Sequence, residues 1–351
     1  MSYTIGVQEA LAELDQFDAI LDVRSPGEFA EDHVPGAENW PVLDDEERRI
    51  VGTLYKQDPL EARRLGATLV ARNVARLLDE RTGGKAKTWR PLVYCWRGGQ
   101  RSLSLHWFLG QIGFRSRQLV GGYKAYRHQV RADLDAWPAR FDYRVLCGLT
   151  GCGKTRLLQA LAAEGAQVLD LEGLAAHRGS VLGGLPDRPQ PTQKRFDSAL
   201  WHTLLGLDPA RPVFVESESR KIGRIALPAA LLGALHGQGR PLWIDMPEPA
   251  RVELLLQDYT HFAADVDGFC RLLDGLVELR GHARVKAWQA QARAGDWAGV
   301  FGALMREHYD PGYGSSLRRH FPALAGAEPI VLADGHADTL RDAARALIAA
   351  A

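Results

Sequence analysis

Two short segments of the chain carry residue types that could do chemistry on a phosphate-like anion. Residues 95–102 read Cys-Trp-Arg-Gly-Gly-Gln-Arg-Ser, and residues 148–155 read Gly-Leu-Thr-Gly-Cys-Gly-Lys-Thr. Each lies between an apolar strand and a helix, where backbone N–H groups and a helix N-terminus converge on an anion. Only the first has a cysteine, Cys95, that could attack the bound group. Together they predict an enzyme that handles a reactive chalcogen on one domain and a phosphorylated molecule on the other.

The cysteine loop is expected to hold a tetrahedral anion above a nucleophile. Its converging backbone donors favour the thiolate of Cys95, and Arg97 and Arg101 add positive charge at close range. The alternative, that Cys95 is a small buried apolar residue, does not account for the residues that follow it. We therefore expect catalytic roles for Cys95, Arg97 and Arg101, and expect Ser102 to cap the following helix. The residues expected to contact the anion are Gly98, Gly99, Gln100 and Ser102.

The second segment satisfies the Walker A pattern, in the strand and helix context that this motif requires. Lys154 is expected to neutralise phosphate oxygens and Thr155 to ligate Mg²⁺. The acidic partner of the metal is left open, because Asp170 and Glu216 each follow an apolar strand and each could instead be structural. His177, Arg178 and Arg220 are further candidates for ligand contact. The residues expected to bind a diphosphate are Gly148, Thr150, Gly151, Gly153, Lys154 and Thr155.

Short apolar strands alternate with helical segments along the chain, which predicts parallel sheets and an α/β fold. The boundary falls near residues 135–140, giving expected domains at 1–136 and 137–351. The expected strands are 19–23, 91–94, 118–120, 143–147, 167–169, 212–215, 241–244 and 330–332. The expected helices are 103–112, 154–161, 254–259, 269–277 and 297–305.

Composition restricts the class of protein. The 43 basic and 43 acidic residues of the 351-residue chain cancel, so global charge gives no support to nucleic-acid binding and any such site must be local. The four cysteines form no CxxC pair and no zinc spacing. No apolar run is long enough to span a bilayer, and the N-terminus lacks the pattern of a signal peptide. A cytoplasmic protein that contacts no membrane is therefore expected.

The first third of the chain resembles the rhodanese family. The resemblance rests on residues 21–29, 33–37, the Cys95 loop and 121–123. The Asp22 and Arg24 pair is expected to be structural. Five residues separate Cys95 from Arg101, whereas plain sulfur-transferring rhodaneses usually have four, and the longer loop resembles that of rhodanese-like dual-specificity phosphatases. A rhodanese-type sulfurtransferase or phosphatase with a nucleotide-binding regulatory domain therefore remains the alternative.

The whole chain resembles the tRNA 2-selenouridine synthase family. The matching stretches are residues 94–102, 148–155, 170–180, 190–196, 216–224 and 309–311. This resemblance implies a rhodanese-like parallel-sheet domain followed by a P-loop NTPase-like α/β domain with extra C-terminal helices. It also implies that wobble 2-thiouridine of a tRNA is converted to 2-selenouridine, with selenophosphate as donor and an S-geranyl intermediate made from geranyl diphosphate.

On the basis of this resemblance, our hypothesis is that the two loops divide the work. The Walker A loop would bind the diphosphate of geranyl diphosphate with Mg²⁺, and the Cys95 loop would bind selenophosphate. Cys95 would attack selenium or carry it as a perselenide, while Arg97 and Arg101 hold the phosphate. No bound organic cofactor is expected, and whether ATP or GTP ever binds is left open.

A tRNA partner, contacted at its anticodon loop, requires local basic clusters and an aromatic side chain that can stack on an unpaired base. Trp288 lies among basic residues and is equally compatible with this role and with a place in the core. The basic residues expected to contact tRNA are Lys194, Arg195, Arg224, Arg280, Arg284, Lys286, Arg318 and Arg319.

Overall fold

The computed structural model describes residues 3–180 and 182–351. The strands are, in chain order, Thr4–Ile5 (β1), Ala19–Asp22 (β2), Ala37–Asn39 (β3), Pro91–Tyr94 (β4), Arg117–Leu119 (β5), Tyr143–Gly148 (β6), Gln167–Leu169 (β7), Val213–Glu216 (β8), Lys221–Ile222 (β9), Ile225–Ala226 (β10), Arg240–Asp245 (β11) and Ile330–Val331 (β12). The helices are Val7–Ala12 (α1), Pro26–Glu31 (α2), Asp45–Gln57 (α3), Pro59–Arg81 (α4), Gln100–Ile112 (α5), Gly122–Ala136 (α6), Lys154–Ala163 (α7), Leu171–Ala175 (α8), Gln193–Leu205 (α9), Ala229–Gly237 (α10), Glu248–Asp258 (α11), His261–Ala264 (α12), Val266–Asp274 (α13), Val277–Arg280 (α14), His282–Arg293 (α15), Trp297–Leu304 (α16), Asp310–His320 (α17) and Ala337–Ala349 (α18).

The chain divides into two compact units. The first comprises the residues up to Asp133 together with Thr192–His202, and the second comprises Leu134–Pro191 and Thr203–Ala351. The boundary expected at 136/137 therefore lies three residues further along the chain than the observed one. The larger difference is the segment Thr192–His202, which follows the expected boundary in the chain but packs within the first unit.

Buried polar contacts explain why α9 joins the first unit. Arg127 on α6 donates to the Ser198 hydroxyl at 3.1 Å and to the Asp197 carboxylate at 2.8 Å. Ser198 in turn donates to the buried Asp32 carboxylate at 3.0 Å. Charged groups removed from water need such partners. No local pattern in the sequence signals these contacts, because they join residues far apart in the chain.

The first unit is built on a parallel sheet with strand order β1-β5-β4-β2-β3. The expected strands at 19–23, 91–94 and 118–120 are confirmed to within one residue. Residues between β3 and β4, for which no element was expected, form the helices α3 and α4. The Asp44 carboxylate caps α3, and Asp58 caps α4 ahead of Pro59.

Asp22 and Arg24, the pair expected to be structural, lie at the carboxyl end of β2. The Arg24 guanidinium contacts the Asp22 carboxylate at 2.6 Å, and both side chains are almost fully buried. Arg24 also donates to the carbonyl of Asp32 at 2.6 Å. This ion pair therefore fixes the loops beside the Cys95 loop, as the sequence predicted.

The second unit is built on a parallel sheet with strand order β12-β11-β6-β8-β7. Parallel strands bring their carboxyl ends to one edge, so the loop after β6, the end of β8 and the residues after β7 meet there. This edge therefore gathers the Walker A segment, Glu216 and Asp170.

Helices α11 to α17 add a separate apolar core to the second unit. Trp288 on α15 is 1% exposed and packs among Phe269, Val285 and Phe301. The interpretation of Trp288 as a core residue is therefore confirmed, and the ring is not available to stack on a base. Among the helices in the described ranges, none has the length and apolar character needed to cross a membrane.

Candidate active sites

The Cys95 thiol lies at the carboxyl end of β4, beneath the turn into α5. Its Sγ is 3.2 Å from the backbone N–H of Gly99 and 3.2 Å from the hydroxyl of Ser102. Both groups can donate to sulfur, and such donors stabilise a thiolate. The side chain is buried, so the thiol forms the floor of the loop.

Two glycines fix the shape of this loop. Gly98 has φ +66°, and a Cβ there would lie 2.7 Å from the carbonyl oxygen of Leu119. Gly122, at the start of α6, has φ +55°, and a Cβ there would overlap the carbonyl oxygen of Cys95. The next residue, Tyr123, donates its N–H to that same carbonyl at 2.8 Å. The 121–123 stretch therefore supports the cysteine loop from below, which is a role that the sequence alone did not assign.

Ser102 does not cap α5, contrary to expectation. Gly99 is the N-cap residue, and Ser102 lies buried in the first turn with its hydroxyl against Cys95 and the Gly99 carbonyl. The amide of Gln118 donates to this hydroxyl at 2.8 Å and to the carbonyl of Gly98 at 3.0 Å. The oxygen of Ser102 accepts this hydrogen bond from Gln118. The hydroxyl hydrogen of Ser102 is therefore available to donate to the Cys95 sulfur or to the Gly99 carbonyl.

The arginines of the loop differ in their surroundings. Arg101 forms an ion pair with Glu28 at 2.8 Å, and both side chains are about four-fifths buried. Burial would raise the pKa of Glu28, but the hydrogen bond and charge of Arg101 outweigh it and hold that pKa below its ordinary value. Arg97 and Gln100 are exposed. Arg101 is thus a fixed charge beside the loop, and Arg97 a charge at the surface.

The Walker A loop has the backbone that its glycines allow. Gly151 and Gly153 have φ +76° and +80°, values that favour glycine. A Cβ at Gly148 would lie 2.5 Å from the Sγ of Cys152. The guanidinium of the buried Arg251 donates to the carbonyl of Thr150 at 2.8 Å. The loop and the first turn of α7 line a cavity of about 230 Å³.

The ammonium group of Lys154 lies inside this loop. Its Nζ donates to the carbonyls of Gly148 at 3.0 Å and Leu149 at 3.3 Å. Burial lowers the pKa of Lys154, but Cys152 and the nearby carboxylates outweigh that effect and the pKa is raised above 10.5. Lys154 therefore carries a permanent positive charge where phosphate oxygens are expected.

Three carboxylates face this end of the loop. Oxygens of Glu172, Glu216 and Glu218 lie within 4.8 Å of one another, and the Thr155 hydroxyl donates to Glu172 at 3.2 Å. Within the described residues, neither carboxylate oxygen of Glu216 has a hydrogen-bond partner, although the side chain is 1% exposed. Buried oxygens without partners are costly, and a hard cation would satisfy them.

Burial and mutual repulsion raise the pKa of each of the three carboxyls to about 8. Buried carboxyls with raised pKa values cluster at functional sites. The oxygen-only donor set and the neighbouring Walker A threonine fit Mg²⁺. The residues that could hold this metal are thus Thr155 and the three glutamates.

Sequence patterns identify part of this cluster. Glu216 was one of two equal candidates, and the other, Asp170, instead caps α8 by accepting the N–H of Gly173 at 2.7 Å. Glu172 and Glu218 were missed as ligands. The signal available was an acidic residue shortly after a strand end, since both follow a strand whose carboxyl end faces the loop.

The other three residues predicted to contact a ligand lie in different places within the second unit. Arg178 lines the Walker A cavity, with its guanidinium 4.9 Å from the Tyr259 ring centre. His177 instead packs between Gly183 and Gly223, and burial lowers its pKa. Arg220 is exposed and lines a second, larger pocket together with Arg280.

The predicted tRNA-binding residues differ in their surroundings in each of the two units. Within the first unit, Lys194 pairs with Glu31 at 2.6 Å, and Arg195 is partly buried. Within the second unit, Arg284 pairs with Glu307 at 2.9 Å, and Arg224 donates to the carbonyl of Gln190. The remaining exposed cations of the predicted set are Arg280, Lys286, Arg318 and Arg319.

Comparison with known proteins matches both units. The model of the rhodanese-like domain family matches residues 6–129, and that of the tRNA 2-selenouridine synthase AAA domain matches residues 141–275. A tRNA 2-selenouridine synthase of Alcanivorax borkumensis is 34% identical over 337 residues, covering 86% of this chain and 90% of that protein. Proteins of the same name from Nitrosomonas europaea and Bdellovibrio bacteriovorus are 36% and 39% identical, covering 73% and 68% of this chain and 67% and 64% of those proteins.

Proposed function

The chain belongs to the tRNA 2-selenouridine synthase family, and we propose that it replaces the sulfur of wobble 2-thiouridine in a tRNA by selenium. Selenophosphate is the proposed donor, and S-geranyl-2-thiouridine, made from geranyl diphosphate, is the proposed intermediate. The observation that carries this proposal is the presence in one chain of two anion loops of different kinds. One has the nucleophile Cys95 in its floor, and the other has Lys154 beside a carboxylate cluster.

Geranylation is proposed at the Walker A loop. The sulfur of the base forms a bond to the first carbon of the geranyl group, the bond from that carbon to diphosphate breaks, and diphosphate leaves with the electron pair while the base loses a proton. Lys154 and the loop N–H groups stabilise the departing diphosphate. Mg²⁺, held by Thr155 and the three glutamates, would add charge neutralisation when bound. Alkylated sulfur is then a better leaving group than the original thiocarbonyl.

Selenium release is proposed at the Cys95 loop. The Cys95 thiolate attacks phosphorus, a sulfur–phosphorus bond forms, and the phosphorus–selenium bond breaks so that selenium leaves with the electron pair as hydrogen selenide. Hydrogen selenide then attacks carbon 2 of the base and displaces geranyl thiol. Water hydrolyses the phosphocysteine and restores the thiol. The Gly99 N–H and the Ser102 hydroxyl stabilise the thiolate before attack and on hydrolysis.

This route differs from the attack of Cys95 on selenium that was our hypothesis from the sequence. Selenium in selenophosphate is fully reduced, so transfer to a thiolate as a perselenide requires either an oxidant or expulsion of phosphorus at a lower oxidation state. Attack on phosphorus needs neither, and it suits a loop with five residues between Cys95 and Arg101 that surrounds a tetrahedral group.

The test is nucleoside mass spectrometry with purified protein, thiolated tRNA, geranyl diphosphate and selenophosphate. Cys95→Ala should keep geranylation and lose selenation, whereas Lys154→Ala should lose geranylation. Arg240→Ala, at the amino end of β11 and away from the Walker A loop, is the control and should retain both steps. Equal loss of both steps in folded Cys95→Ala would overturn the division. Hydrolysis of a phosphoester without any change in the tRNA would favour the phosphatase alternative.

A further inference from the structure

A large pocket of about 950 Å³ adjoins the Walker A cavity within the second unit. Ser180, Glu218 and Tyr313 line both spaces. The Tyr313 ring also lies 5.8 Å from the Nζ of Lys154. A molecule in the pocket would therefore lie one side chain away from the group held by the Walker A loop.

Three cations line this pocket. Arg220 and Lys221, which follow the end of β8, are exposed. Arg280 donates to the ring nitrogen of His308 at 3.1 Å. Within the described residues, none of the three forms an ion pair with a carboxylate, and Glu218 is the acidic residue of the lining. The positive charge is thus available to an anionic ligand.

Aromatic rings line another side of the same pocket. The His236 and His320 rings stack with centroids 4.5 Å apart, and Phe321 meets His236 edge-on at 5.3 Å. His320 is exposed, so the outer face of this stack is open. Burial and the neighbouring His320 lower the pKa of His236, which favours an uncharged, flat surface. Such surfaces stack on unpaired nucleobases.

We propose that this pocket binds the acceptor nucleotide of the RNA, with its base against the His320 face and its flanking phosphates on Arg220, Lys221 and Arg280. The inference rests on the proposed function and adds the place where the acceptor binds. It puts the reacting edge of the base at the wall shared with the Walker A cavity. A hydrocarbon chain is the less suitable occupant, because it would lie against three cations and take them out of water without a partner.

The first test is the salt dependence of RNA binding, measured by fluorescence anisotropy with an anticodon stem–loop that carries 2-thiouridine. The double variant Arg220→Ala/Lys221→Ala should weaken binding and reduce the slope of log affinity against log salt by about 0.7 for each phosphate that is no longer neutralised. Arg280→Ala should weaken binding too, and should reduce the slope by about 0.7, the amount expected for one phosphate. Arg240→Ala removes another exposed cation, at the amino end of β11, and should leave both affinity and slope unchanged.

The second test addresses stacking. His320→Ala should weaken binding of the same stem–loop by about ten-fold, and His320→Phe should restore most of it, because loss of a stacking ring has effects of this order. Neither change should alter binding of Mg²⁺-diphosphate, measured by calorimetry, which also verifies that the second unit remains folded.

The outcomes separate the two proposals. If the wild-type protein binds and modifies the RNA and the pocket variants bind it equally well, only the assignment of the pocket is overturned. A raised KM for geranyl diphosphate with unchanged RNA affinity would do the same and would assign the pocket to the prenyl chain. Wild-type protein that neither binds the stem–loop nor geranylates it would overturn the proposed function and this inference together.

Discussion

Replacement of Glu216 by glutamine should change how the stability of the second unit depends on pH. Burial and the charge of Glu172 raise the pKa of Glu216 from the ordinary 4.5 to about 8 in the folded protein. A group whose folded pKa is raised contributes stability that is fully present below its unfolded pKa and is lost as pH rises through its folded pKa. Between about pH 5 and 8 the folded cluster therefore holds a proton that the unfolded chain has released.

The size of the effect follows from this difference. Each pH unit in the window changes the free energy of unfolding by about 1.4 kcal/mol per proton, so the metal-free wild type should lose roughly 2–3 kcal/mol between about pH 5.5 and 7.5 from this group. Glutamine at 216 does not titrate. The variant should therefore gain about that amount relative to wild type across the same interval. Coupling with Glu172 and Glu218 makes the cluster, rather than one residue, the unit that titrates.

Hydrogen exchange of the β6 and β8 amides, read by mass spectrometry in the presence of a chelator, reports on unfolding of the second unit by itself. Glu253→Gln changes an exposed carboxyl on α11 and is the matched control. Added Mg²⁺ should stabilise the wild type more at about pH 7.5 than at about 5.5, because carboxylates must lose their protons to bind it. If the difference in free energy of unfolding between the wild type and Glu216→Gln stays constant with pH, the reasoning is refuted.

Three further outcomes are expected from the same geometry. Gly122→Ala should abolish selenation and keep geranylation in the nucleoside assay, because its Cβ would overlap the Cys95 carbonyl; retained selenation would contradict this. Ser102→Ala should slow the alkylation of Cys95 by iodoacetamide several-fold, as measured by peptide mass spectrometry, since the change removes one of the two donors to the Cys95 sulfur. An unchanged alkylation rate would exclude Ser102 as a donor that activates the thiol. Trp288→Ala should lower the free energy of unfolding of the second unit by about 3–5 kcal/mol, with unchanged RNA affinity in protein that remains folded; a specific loss of RNA affinity would contradict the core assignment.

Most of the fold class could be predicted because it depends on local pattern. Short apolar strands followed by helices appear in the sequence, and the strands found at 91–94, 143–148 and 167–169 lie where the pattern indicates. The helices α3 and α4 were not expected. The segment 192–202 packs within the first unit although it follows the boundary in the chain, because the contacts of Ser198 and Asp197 join residues far apart in sequence.

The sequence by itself determined the two anion loops, because in each of them a strand, a glycine turn and the start of a helix follow one another along the chain. It also determined which reactive side chains these loops carry, namely Cys95, Lys154 and Thr155. Only the tertiary structure decided what surrounds them. Parallel pairing of β6, β7 and β8 brings Glu172 and Glu218 to the Walker A loop, and pairing of β4 with β5 brings the amide of Gln118 beneath Ser102. Strand order is set by the packing of the whole sheet, so no spacing along the chain encodes it locally.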